Sequence, residues 1–316
     1  MQLNATAARL SETMVANAER LRVRVERADC GTRLVDCGQN VPGSLAAGIA
    51  VAEICLADRA EVHLSASIGD SDLGLVVTVV SDDPVTACMG SQYAGWRIKA
   101  ERFFAMGSGP MRAAAGKEPI LQRLGVVERP EQAVGVLETR DTPTDQVCRQ
   151  IADACQLAPE RLTLLFAPTA SVVGSVQIAA RSLETALHKL SELGFDLGRI
   201  DSGWGQAPLP PVAADDLAAI GRTNDAVLYG GDVTLLVRGD DASLQAIGPL
   251  TPSCSSRDYG QPFATIFERY GRDFYRIDPQ LFSPARITFV NCDTGRVLRY
   301  GRLAPELVRQ SFGLSS

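Results

Sequence analysis

The chain is poor in metal-ligand chemistry: it has two histidines and no Cys-x-x-Cys pair among its eight cysteines. Cys30 and Cys37, like Cys148 and Cys155, stand seven apart, which matches no paired zinc-ligand spacing, so metal-dependent hydrolysis is disfavoured. A Gly-x-Gly-x-x-Gly fingerprint is missing, and no Gly-Lys-Ser/Thr follows a glycine-rich loop, which argues against nicotinamide dinucleotides and nucleotide triphosphates. The most apolar stretch, residues 45–56, is interrupted by Glu53 and falls well short of the ~20 residues a membrane span needs. The first residues, MQLNATAARLSETMVANAERLRVRVERA, contain Glu12, Glu19 and several arginines without a continuous apolar segment, so they read as neither a signal nor a transit peptide. An excess of positive charge is lacking too: 31 Lys and Arg against 37 Asp and Glu leave a net charge of -6, the wrong sign for a surface that neutralises nucleic-acid phosphates. These absences predict a cytoplasmic globular protein with reduced thiols and neither a nucleic-acid nor a membrane partner.

What the chain does have is ample core material, 46% hydrophobic and 22% charged residues over 316 positions, enough for two domains or one large α/β domain. Residues 7–20 have the composition of a surface helix and residues 21–26 (LRVRVE) alternate like a strand; a turn at 29–31 and TRLVDCG complete a hairpin. Near the other end RITFV (286–290), a turn at 291–295 and RVLRY (296–300) repeat that plan, which suggests two hairpins in one sheet. Between them, residues 43–56 read as a packed helix, and EVHLSAS and LGLVVTVVS as strands around the turn GDSD at 69–72. Residues 83–94 hold a helix start, and strands at 132–138 and 162–166 flank a helix at 144–156. The expected class is α/β (α+β-like), with two mixed α/β domains and a pocket between them: residues 1–125 plus 272–316, and residues 126–271.

Residues 172–193 read as one helix, with Val172, Val176, Ala180, Leu183, Leu187 and Leu190 on a buried face. Gln177, Arg181, Glu184 and His188 recur at the same spacing within a strip roughly 60° wide that flanks the apolar face, where a cleft wall would lie. Arg181 and Glu184 are three apart and within reach of each other. A surface ion pair worth roughly 0.2–0.5 kcal/mol satisfies that spacing as well as an active site does.

Three further segments are too polar and glycine-rich for core: ACMGSQYAGW (87–96), AMGSGPMRA (105–113) and GRTNDAVLYGG (221–231). Gly107, Ser108, Gly109 and Pro110 would form a concave set of backbone donors for an anion, although each glycine is equally a turn or a packing residue. The proline cluster APLPP at 207–211 reads as a rigid loop.

Together with SVQIAARSLETALHKL and APLPP, these segments make the chain resemble the methenyltetrahydromethanopterin cyclohydrolases, with flanks compatible over essentially the whole length. The resemblance implies a two-domain α/β subunit that holds the pterin between its domains, a homotrimer, and no metal or redox cofactor, the tetrahydromethanopterin derivative being the substrate. It carries the family's functional arginine and glutamate onto Arg181 and Glu184. It also makes Ser91, Gln92, Trp96, Ser108, Gly109, Gln177, Asp225 and Tyr229 candidates for substrate binding, through hydrogen bonds or flat apolar contact. The expected reaction is reversible hydrolysis of the 5,10-methenyl to the 5-formyl cofactor, with Glu184 as general base and Arg181 orienting it. The competing expectations are another one-carbon enzyme of the same cofactor and a pterin-binding protein without turnover.

Overall fold

The computed structural model describes residues 2–66 and 73–314, with Tyr275 by its backbone alone; the expected turn at 69–72 lies outside the described residues. In chain order the strands are β1 (Arg24–Arg27), β2 (Arg33–Asp36), β3 (Glu61–Ala66), β4 (Leu75–Ser81), β5 (Trp96–Ala100) and β6 (Phe103–Ser108). They continue with β7 (Ala133–Glu138), β8 (Leu162–Ala167), β9 (Ile200–Pro208), β10 (Asp232–Val237), β11 (Arg286–Asn291) and β12 (Val297–Gly301). Two six-stranded sheets result, ordered β1-β2-β8-β7-β6-β5 and β12-β11-β10-β9-β4-β3. Both are mixed and accompanied by helices, as an α/β class requires.

The first unit, residues 1–60 and 86–177, holds the first sheet. Its centre is β2, β8 and β7, all parallel, and the strand–helix–strand run from β7 through the helix Asp145–Ala154 to β8 follows the expected pattern. Alternation along these strands builds two cores. Leu34, Leu137, Leu164 and Phe166 join Val147 and Ile151 of that helix on one face. Val35, Val134, Val136 and Leu165 join Ala7 and Met14 of the helix Leu3–Ala16 and Val51 and Ile54 of the helix Leu45–Cys55 on the other. Parallel strands covered on both faces explain why AVGVLE and LTLLFA are almost continuously apolar. Ser44 and Thr144 open their helices by accepting from Ala47 N and Val147 N.

The second unit, residues 61–85 and 178–316, holds the second sheet, which is antiparallel except for the β10–β11 pair. The helix Ser182–Glu192 packs onto β9 where the strand has no side chains. A Cβ at Gly203 would come within 2.7 Å of Leu183, and one at Gly205 within 2.8 Å of Ser182 Oγ and 2.9 Å of the Leu183 nitrogen.

Two expectations are corrected here. The terminal hairpins do not share a sheet: β2 is drawn into the first by parallel pairing with β8, and β11 into the second by parallel pairing with β10. A hairpin pattern shows that one face is buried but not against which neighbour, so the boundaries 1–125 plus 272–316 and 126–271 give way to units that exchange chain at 60/61, 85/86 and 177/178. Residues 172–193 are also two helices, Val172–Ala179 and Ser182–Glu192, because Arg181 N donates to Ile178 O, three residues back, and its backbone (φ -92°, ψ 5°) leaves the helical range.

Candidate active site

The break at Arg181 defines the position of Glu184. Arg181 is the residue that precedes the second helix, and Glu184 lies in that helix's first turn, where a carboxylate is favoured by the unsatisfied N–H groups. Thr185 donates both its N–H and its hydroxyl to Arg181 O at 2.8 Å, which locks the turn between the two residues. Glu184 is 6% exposed and Arg181 8%, so the pair is not the surface ion pair that the spacing also allowed. His188 is half-buried one turn further along. Lys189 anchors the far half of the helix, donating to Gln280 O at 2.8 Å and Oε1 at 2.6 Å; burial pushes its ammonium down to about 8.

In the first unit the structure gathers Ser91, Gln92, Ser108 and Gly109 into one network. Residues Val85–Gln92 form a wide helix, whose i→i−5 pattern continues in the 2.7 Å bond from Tyr93 N to Cys88 O; such segments recur at functional sites. Ser91 Oγ donates to Cys55 O (2.7 Å), and Ser91 O accepts from Gly109 N (2.9 Å). Ser108 Oγ lies 3.3 Å from both Cys55 Sγ and Val136 O. The expected anion cradle is thus corrected: Gly109, held at φ +88°, spends its N–H inside the protein, and Pro110 has none. Gln177 is 4% exposed near the end of the first helix of the pair, and Trp96 is half-buried on the core side of β5.

The organising residue of this network is Arg112, for which the sequence raised no expectation. Its side chain is fully buried; Nη1 donates to Met89 O (3.2 Å) and Ser91 O (3.0 Å), while Nε and Nη2 fork onto Glu118 at 2.7 and 2.6 Å. The guanidinium also stacks 5.1 Å from the Tyr93 ring centre. A lone arginine inside the run MRAAA was the available signal. Glu128, equally unmarked in sequence, accepts from Leu3 N, Asn4 N and Asn4 Nδ2, while Asn4 Nδ2 holds Pro110 O as well.

Asp225 and Tyr229 lie one turn apart, at the end of the helix Asp216–Leu228 and just beyond it, beside an aromatic core with Phe263, Ile266 and Phe267. Asp225 Oδ1 accepts from Phe263 N at 2.8 Å, and burial pushes its carboxyl up to about 7 against the pull of Ser311 and that N–H. Tyr229 is 0% exposed; its hydroxyl donates to Gln261 O, accepts from Gly260 N, and its ring rests 5.2 Å from that of Tyr259. It holds the 259–262 turn and presents no open ring face. Pro208 of APLPP is the last residue of β9, and Arg222 ties down Pro211 O and Val212 O.

All eight cysteines are free thiols, six of them buried, and burial raises Cys37, Cys148 and Cys155. Among the described residues no cluster of three or more His, Cys, Asp or Glu suits a metal ion, and no helix is long and apolar enough to cross a membrane.

Comparison with known proteins relates nearly the whole chain to one family. Residues 2–312 match the family described as Cyclohydrolase (MCH). A methenyltetrahydromethanopterin cyclohydrolase of Rhodopirellula baltica is 46% identical over 90% of the chain and 87% of its own length. One from Methylobacterium sp. is 45% identical over 98% and 97%, and one from Methanosarcina barkeri 38% identical over 99% of both.

Proposed function

Because the chain belongs to the cyclohydrolase (MCH) family, we propose that it catalyses the reversible hydrolysis of 5,10-methenyltetrahydromethanopterin to the 5-formyl cofactor. The observation that supports a catalytic assignment is the buried carboxylate of Glu184 in the first turn of its helix, three residues after the buried Arg181.

The methenyl carbon bridges two nitrogens and shares their positive charge, so it is electrophilic without a metal or a redox cofactor. Water attacks that carbon; a C–O bond forms and one C–N bond breaks. Glu184 takes one proton from the attacking water, giving a neutral hydroxyl adduct, and delivers it to the departing nitrogen. As that C–N bond breaks, the hydroxyl becomes the formyl C=O and its proton passes to solvent, matching the positive charge the substrate loses. Such proton transfer contributes roughly 10²–10⁴-fold. Its negative charge also favours the cationic substrate. Arg181 would repel that cation, so its role in this reading is to orient Glu184 and keep it ionised. Ser91, Gln92, Ser108, Gly109, Trp96 and Gln177 shape the substrate-binding segments, with Arg112 holding the loop on which the first two sit. A cytoplasmic location fits the free thiols, and the resemblance supports three copies per assembly.

Replacing Glu184 with Gln keeps the shape and removes the base. Loss of the methenyl absorbance is expected to slow at least ~100-fold, while binding, measured by equilibrium titration, changes little. Turnover close to wild type in E184Q removes Glu184 from the reaction.

A further inference from the structure

Two of the buried cysteines stand against each other, and the reaction proposed above uses neither. Cys30 lies in the turn that joins β1 to β2, and Cys148 lies in the helix Asp145–Ala154. Both belong to the core on one face of the first sheet. The Cys148 thiol is hydrogen-bonded to the Cys30 sulfur, and Cys30 Sγ in turn donates to Thr32 Oγ1 at 3.5 Å. Two further bonds seat the turn. Cys30 N donates at 3.2 Å to Oδ1 of Asp145, three residues before Cys148, and Thr32 Oγ1 donates to Pro159 O at 2.9 Å. Other buried sulfurs meet oxygen instead: Cys37 donates to Val35 O (3.4 Å), Cys155 donates to Met111 O (3.5 Å), and Cys55 lies 3.3 Å from Ser108 Oγ.

We propose that Cys30 and Cys148 form an oxidative modification site, at which a hydroperoxide converts the two thiols into one disulfide. Cys30 stands at the turn and is 4% exposed, whereas Cys148 is sealed behind it at 0%, so a small oxidant meets Cys30 first. The Cys30 sulfur takes the terminal oxygen of the hydroperoxide: an S–O bond forms, the O–O bond breaks, and the remainder leaves as an alcohol, or as water from hydrogen peroxide. The Cys148 sulfur then attacks that of Cys30; an S–S bond forms, the S–O bond breaks, and water leaves with the Cys148 proton. Two electrons have passed from the thiols to the peroxide. Burial, and next the neighbouring Cys30 sulfur, raise the Cys148 thiol to about 12, so it rests protonated at neutral pH and the pair stays reduced until an oxidant arrives. Closing the bond shortens a sulfur–sulfur hydrogen bond to the ~2.05 Å of a disulfide. It also fastens the turn beside edge strand β1 to the β7–helix–β8 run. The partners are 118 residues apart, and a link across so long a loop strongly constrains the unfolded chain.

The test uses the full chain carrying Cys254→Ser and Cys292→Ser, which removes the two exposed thiols. It is treated with millimolar hydrogen peroxide, and its unreduced peptides are mapped by mass spectrometry. The expected product joins the peptides of Cys30 and Cys148 and is lighter by two hydrogens. The thermal midpoint, read by circular dichroism, should rise by at least ~3 °C, and dithiothreitol should reverse both changes. Cys30→Ala and Cys148→Ala, each made in the same background and each shown by circular dichroism to fold, should give neither the link nor the rise. A sulfinic acid on either cysteine without a link, or a link from either one to Cys155, overturns the assignment. So do thiols left intact after prolonged exposure to both hydrogen peroxide and diamide.

Discussion

Asp225 shows how a residue chosen from sequence as a ligand group turns out to support the fold. Its carboxyl accepts the first N–H of the helix Phe263–Arg269 and is almost completely buried, which raises it from the ordinary carboxylate value to about 7. The folded state therefore keeps a proton that the unfolded chain releases near pH 4. Between about pH 4 and 7 the unfolded state binds fewer protons, so this group makes stability fall as pH rises across that window and adds no slope outside it. The substitution Asp225→Asn should abolish that part of the slope; urea unfolding at a series of pH values measures it, and an unchanged slope would place the proton elsewhere. Glu184 was singled out for a different reason: it lies in SVQIAARSLETALHKL, where the resemblance places the family's glutamate three residues after its arginine. Arg112 was not, because nothing local in MRAAA says that its guanidinium reaches the carbonyls of Met89 and Ser91.

Among the elements, glycine decides where Glu184 stands. The second helix approaches β9 so closely at Gly205 that a methyl group there would meet the backbone nitrogen of Leu183, one residue before Glu184. Gly205→Ala should push the helix outward at a cost of roughly 1–3 kcal/mol. A displacement near 1 Å should lower kcat by at least ~10-fold, read from methenyl loss alongside a folded circular dichroism spectrum. Unchanged kcat would mean that the helix start does not set the geometry of the reaction. Hydrophobic periodicity found this helix and its partner but fused them, since Val176, Ala180 and Leu183 keep the same spacing across the turn at 180–181. The wide helix at Val85–Gln92 was reduced to a helix start, because an extra residue per turn leaves no distinct apolar rhythm in VTACMGSQ.

Across the whole molecule, the chain passes between its two units three times, so neither is a continuous piece of sequence. Residues 178–316 expressed alone would lack β3 and β4 and leave β9 as a bare edge, open to aggregation. That fragment should show no cooperative thermal unfolding; a sharp transition in circular dichroism would prove that the second sheet stands without its first hairpin. Local pattern along the chain was enough for the α/β class, most strands and the β7–helix–β8 run, since period, capping residues and short spacings are carried by near neighbours. It was not enough to say which sheet each hairpin joins, that Tyr229 and Gly109 are committed internally, or that Arg112 gathers the polar loops. Those outcomes were settled in three dimensions, by hydrogen bonds and packing between residues far apart in sequence, whose partners no local pattern specifies.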